Sequence, residues 1–148
     1  MTIRKSTLWF PKSFIPDQSY MHKIFLVLGS AFAGLGVVLG AFGAHGLKKL
    51  VGLETVGTFQ TGVQYQMYHA FALLFVGILY ERLSHPLLNW AGGLFVGGIL
   101  LFSGSLYLLA GLKAANKVGL TGIGILTPVG GLLFIAGWLL VLMAVLKR

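Results

Sequence analysis

The side chains best suited to chemistry concentrate in one decapeptide, Thr61 to Ala70 (TGVQYQMYHA). It sets Gln64, Tyr65, Gln66, Tyr68 and His69 directly before a long apolar run, Phe71 to Tyr80. Tyr65 and His69 lie four apart, as do Gln64 and Tyr68, so on a helix each pair shares a face. Amides and phenols supply hydrogen-bond donors and acceptors, and an imidazole adds a proton site or a metal ligand. His45, Ser103, Ser105, Tyr107 and Thr127 extend the set. Polar groups left unpaired in hydrocarbon cost several kcal/mol, so all of these need partners. Hydrogen bonding between helices is the plainer account of them; a headgroup, quinone or proton site is the functional one.

Catalysis has little to work with. The chain holds 3 Asp and Glu residues, 4 His and no Cys. Disulfides, thiolate metal sites and cysteine nucleophiles are excluded. No carboxylates pair and no nucleophile sits beside a base. The expectation is therefore a non-enzyme with no catalytic residues, no metal site and no cofactor. A haem held between His45 and His69 is the remotest alternative.

The elements that must position these residues follow from composition. Mean hydropathy is +0.90, 57% of residues are hydrophobic and 9% are charged, against about 25% charged in soluble domains. This is the composition of an integral membrane chain. A net charge of +8 would suggest nucleic acid in a soluble protein. Here Lys and Arg sit at segment ends, where they anchor spans, so no nucleic acid is expected. With roughly 20 apolar residues needed per crossing, 148 residues hold about four spans. The expected fold is all-α: a four-helix antiparallel bundle in the membrane, with a short interfacial helix before the second span.

Residues 1–20 carry two prolines and no apolar run long enough to cross, whereas Met21, His22 and Lys23 resemble the start of a small membrane protein. The expectation is that Met21 is the initiator and residues 1–20 a dispensable extension, leaving 21–148 as one membrane domain. The first span runs from about residue 24 to 44, too long for a signal peptide's apolar region. Gly29, Ala33, Gly36, Gly40 and Gly43 form one stripe of small residues along it. Such a stripe lets backbones approach closely, either within the bundle or across a homodimer. Leu50 to Gln60 mixes Glu54, Thr55 and Thr58 with Leu53, Val56 and Phe59, as an interfacial helix would. The second span is placed at about 60–80 and the third at 88–112, with Gly93, Gly97, Gly104 and Gly111 as a second packing stripe. The last is placed at 120–146. Pro128 removes a backbone donor there and disfavours helix at Thr127, so a kink is expected with Thr127 capping the following half.

Antiparallel spans put the end of the first, the start of the second, the end of the third and the start of the fourth on one side. His45, Gln64, Tyr65, Tyr68, His69, Ser103, Ser105, Tyr107 and Thr127 then share one leaflet, as a one-sided cavity or a polar-cored bundle would require. Arg4, Lys5, Lys12, Lys23, Arg82, Lys147 and Arg148 outnumber Lys48, Lys49, Lys113 and Lys117 on the other side, which favours both termini inside. With initiation at Met21 the two sides balance.

Four segments carry a resemblance: GAFGAHGLK at residues 40–48, QTGVQYQMYHA at 60–70, FSGSLY at 102–107 and TPVGGLLFIAGW at 127–138. Together they resemble the bacterial membrane-protein family called domain of unknown function 423, which is related to transmembrane protein 256. The resemblance covers residues 21–146 and leaves out 1–20. It implies a small four-span protein of the bacterial plasma (inner) membrane, and it brings no catalytic residues with it. Two functional classes stand. One is a non-enzymatic module that packs with itself or a membrane-protein partner, or binds a lipid-like ligand among membrane lipids. The other is a small proton-coupled transporter or exporter, for which His69 is the sole intramembrane titratable candidate, since Glu54 and Glu81 lie outside the spans.

Overall fold

The structure, a computed structural model, describes residues 18–116 and 122–147. The extension expected at 1–20 lies outside the described residues except for its last three. Among the described residues five α-helices make up four crossings: α1 (Gln18–His45), α2 (Leu53–Leu83), α3 (Pro86–Gly98), α4 (Gly104–Ala114) and α5 (Leu126–Leu146). A π-helical turn, Ile99–Ser103, joins α3 to α4 so that the two form one span. All four crossings are long and apolar enough to traverse a membrane.

Helix α1 begins at Gln18, within the expected tail and well before residue 24. It ends where the Gly46 amide bonds Phe42 O at 2.8 Å, and a 3-10 turn, Leu47–Lys49, follows. The segment expected to form a separate interfacial helix is instead the opening of α2, which runs without a break from Leu53 to Leu83. No proline interrupts it, and the Thr58 and Thr61 hydroxyls donate back to the carbonyls of Glu54 and Gly57 at 3.1 and 3.0 Å. Packing holds this part down: Phe59 and Val63 bury against Leu47 and Ala110. At about 46 Å, α2 is longer than a bilayer core, and its first turns continue beyond it.

The turn from α2 to α3 takes two residues. Ser84 adopts a left-handed φ of 44° and its amide bonds Tyr80 O at 2.8 Å. His85 caps α3 by accepting the Leu87 amide at Nδ1, and Pro86 fills the first helical position, where an N–H would lack a partner. Pro128 does much the same in α5. The helix begins at Leu126 after a 3-10 turn, Ile123–Ile125, so Pro128 falls in its first turn. There its missing donor is one that no helix uses. Pro128 therefore does not interrupt α5 in mid-span, and Thr127 is not the cap; the N-cap position is Ile125.

The principal core joins Phe25 of α1, Leu73, Val76 and Tyr80 of α2, Leu88, Ala91, Phe95 and Ile99 of the third span, and Phe134, Val141 and Ala144 of α5. Helix α1 packs along α2, α5 packs along α3 and the π turn, and α4 leans on α2 rather than α5.

Glycines set the close approaches. A Cβ at Gly29 would lie 2.9 Å from Ala70 O, and one at Gly43 2.8 Å from the Gln60 amide nitrogen. Gly36 and Gly40 face Met67 and Val63. The α1 stripe is thus occupied by α2 inside the same chain, and Ala33 on it is half-buried. The second stripe reads differently. Gly93, Gly104 and Gly111 face open space, and only Gly97 meets a neighbour, Leu133. Gly92 and Gly98 are the tight positions, where a Cβ would overlap the rings of Phe25 and Phe134. Each belongs to a Gly-Gly pair, and the buried face through Leu88, Ala91, Phe95 and Ile99 decides which member of the pair turns inward.

Candidate functional site

The polar side chains resolve into separate hydrogen-bonded links between helices. Gln66, buried on α2, donates from Nε2 to Phe32 O of α1 at 2.8 Å and accepts the Tyr107 hydroxyl of α4 at Oε1 at 2.9 Å. One side chain thereby ties three crossings together. Gln60 reaches α1 in the same way, its amide nitrogen 3.4 Å from Gly40 O. Ser105 donates to Phe102 O at 2.8 Å and shares a hydrogen bond with Thr127 at 2.6 Å, fixing the start of α5 to α4.

His69 sits deepest. Its Nδ1 lies 2.8 Å from Tyr65 O, a carbonyl that can only accept, so Nδ1 carries the proton. The Trp138 indole N–H, which can only donate, points at Nε2 from 3.3 Å. These two partners fix the imidazole as the neutral Nδ1–H tautomer. The ring stacks on Phe134 with centroids 3.4 Å apart and planes 7° apart, with Phe95 and Trp138 at its other sides. Taking up a second proton, or binding a metal or haem, would require displacing Trp138 or the Tyr65 carbonyl.

Gln64, Tyr65 and Tyr68 lie on the outer face of α2. Gln64 donates to the Tyr68 hydroxyl at 2.6 Å, and both are exposed. Tyr65 packs its ring against Phe102 at 4.5 Å, leaving 38% of the residue accessible. His45 stands exposed at the end of α1, away from His69, which faces Trp138 and Phe134. Ser103 is fully buried in the π turn and its hydroxyl has no partner among the described residues. Of the nine residues expected to cluster, then, Ser105 and Thr127 meet each other, Gln64 meets Tyr68, and Tyr65 meets His69 through its backbone. Tyr107 meets a residue outside the set, and His45 and Ser103 meet none of the others.

Sequence reasoning noted Gln66 but did not place it in the cluster, and it missed Trp138 as the partner of His69. A buried face running through Gly62, Gln66, His69 and Leu73 was the available signal for Gln66, because it aligns with Ala70, Val76 and Gly77. Among the described residues no group of three His, Asp or Glu side chains could hold a metal ion.

Known proteins similar to this chain are likewise named as membrane proteins. A family model described as "Protein of unknown function (DUF423)" matches residues 39–131. A UPF0382 membrane protein of Staphylococcus aureus is 42% identical over 125 residues, covering 84% of this chain and 97% of the relative. The UPF0382 membrane protein YwdK of Bacillus subtilis is 42% identical over 126 residues, covering 84% and 98%. One from Staphylococcus haemolyticus is 40% identical over 125 residues, covering 84% and 97%. No solved structure gives a significant match.

Proposed function

We propose, on the premise that this chain belongs to the DUF423 family of membrane proteins, that it is a non-enzymatic module of the bacterial plasma membrane whose interior polar groups hold helices together. On this reading the outward-facing Gln64, Tyr65 and Tyr68 are where a lipid-like ligand is engaged.

The observation that carries the proposal is His69. Among the described residues it is the one buried histidine and no acid is buried, and both its nitrogens are already spoken for in the neutral form. Gln66, Tyr107, Ser105 and Thr127 are likewise paired across helices. Proton-coupled transport needs a group that cycles between charge states facing a water-accessible path. A stacked imidazole capped by an indole N–H lacks that freedom. The first glycine stripe also favours a module that packs internally, because α2 fills it.

The test is proton flux. Purified protein is reconstituted into liposomes loaded with a pH-sensitive dye, and a proton gradient is imposed. The gradient should decay at the rate of protein-free liposomes. A faster decay that is abolished by His69→Ala would replace this reading with proton-coupled transport.

A further inference from the structure

A cleft of about 330 Å³ opens between the C-terminal ends of α2 and α5, lined by Leu79, Arg82, Leu83 and Val145. It lies at the end of the bundle opposite the Gln66–Tyr107 and Ser105–Thr127 links. Leu79, Arg82 and Leu83 follow the i, i+3, i+4 spacing of one helix face, which puts the guanidinium stem on the same wall as two leucines. Glu81 is one residue away and so falls off that face. Among the described residues no carboxylate pairs with Arg82; the ion pair that forms, Lys113 with Glu54 at 3.9 Å, is at the other end of α2.

Among the described residues at this end, basic side chains outnumber acidic ones. Lys147 ends α5 two residues beyond Val145. Lys23 on α1 follows His22, whose carbonyl lies against Gly77 of α2, so it too belongs to this end. Glu81 is the one described acid there. A guanidinium at the hydrocarbon edge, beside an apolar wall and at an end where Lys23, Arg82 and Lys147 outnumber Glu81, matches a ligand that is anionic at one end and apolar at the other. Arg binds phosphate oxygens through two parallel N–H donors, which a lone ammonium cannot do. Basic recesses between spanning helices are also where acidic lipid headgroups are held.

We propose that this cleft binds the headgroup of an anionic phospholipid, with Arg82 on the phosphate and the first acyl carbons along Leu79, Leu83 and Val145. The site is separate from the Gln64–Tyr68 face and does not depend on it.

Native mass spectrometry of the whole protein tests this, with phosphatidylglycerol or phosphatidylcholine of identical chains added to mild detergent. The wild type should retain phosphatidylglycerol several-fold more than phosphatidylcholine. Arg82→Gln should bring the two to the same level while leaving the lipid-free melting temperature unchanged, since Arg82 is exposed. Val145→Trp, which fills the cleft without altering charge, should also lower phosphatidylglycerol retention. Gln64→Leu combined with Tyr68→Phe should leave the preference intact, whatever it does at the other face. Equal retention of the two lipids by wild type, or unchanged phosphatidylglycerol retention in both Arg82→Gln and Val145→Trp, overturns the proposal.

Discussion

The Tyr107 hydroxyl and the Gln66 side-chain carbonyl meet at 2.9 Å although 41 residues separate them. The same Gln66 amide bonds α1 through Phe32 O. Tyr107→Phe should therefore lower thermal stability in detergent by about 1 kcal/mol, the usual worth of an interhelical hydrogen bond or slightly more. Gln66→Leu should cost more, because it also releases Phe32 O. A double-mutant cycle should return a coupling of about 0.5–1.5 kcal/mol between the two. Additive losses would mean that the contact carries no energy.

The fixed tautomer of His69 is directly observable. With ¹⁵N-labelled histidine, the spectrum at neutral pH should show a neutral ring protonated at Nδ1. Trp138→Phe removes the donor at Nε2 while keeping an aromatic ring beside Phe95. That variant should shift the Nε2 resonance and leave the Tyr65 contact at Nδ1 in place. An Nε2–H signal in the wild type would contradict the geometry.

Glycine substitutions should split cleanly by position. A Cβ at Gly130 would overlap the backbone nitrogen of Phe102, which cannot swing aside. Gly130→Ala should cost several kcal/mol or prevent recovery of folded protein. Gly93→Ala meets nothing within 4 Å and should be neutral or stabilising by roughly 0.5–1 kcal/mol, the ordinary helix preference for alanine. Comparing melting temperatures of the two variants checks both halves of the statement.

Ser103 buries a hydroxyl that forms no hydrogen bond among the described residues. Removing it leaves no orphaned partner, so Ser103→Ala should leave stability unchanged or raise it by about 1 kcal/mol. A marked loss would show that the hydroxyl has a partner.

The four crossings were legible because hydrocarbon imposes a length and a composition that few other folds share, and the basic residues of Lys48–Lys49 and Lys147 mark their ends. The internal use of the α1 stripe was legible to a lesser degree, since Gly29, Gly36, Gly40 and Gly43 fall on a single helical face. What failed did so for local reasons. Pro128 reads as a break in a long apolar run, but the run includes residues that precede the helix, so the proline lies near its start. Gly92–Gly93 and Gly97–Gly98 offer two candidates per site, and only the packed position of Phe25 and Phe134 chooses between them. Gln66 and Tyr107 carry no mark of being partners in a chain where each is one polar residue among several.

The π turn at Ile99–Ser103 is where the third crossing changes company. Its first half, α3, travels with α5; its second half, α4, travels with α2. Winding this turn as an ordinary α-helix with every residue kept would rotate everything downstream by about 100°. Tyr107 would swing away from Gln66 and Ser105 from Thr127, while the α3 contacts with α5 stayed as they are. A single surplus residue therefore acts as the phase setting of the whole molecule, keeping two differently directed halves of one rod in step with their separate neighbours.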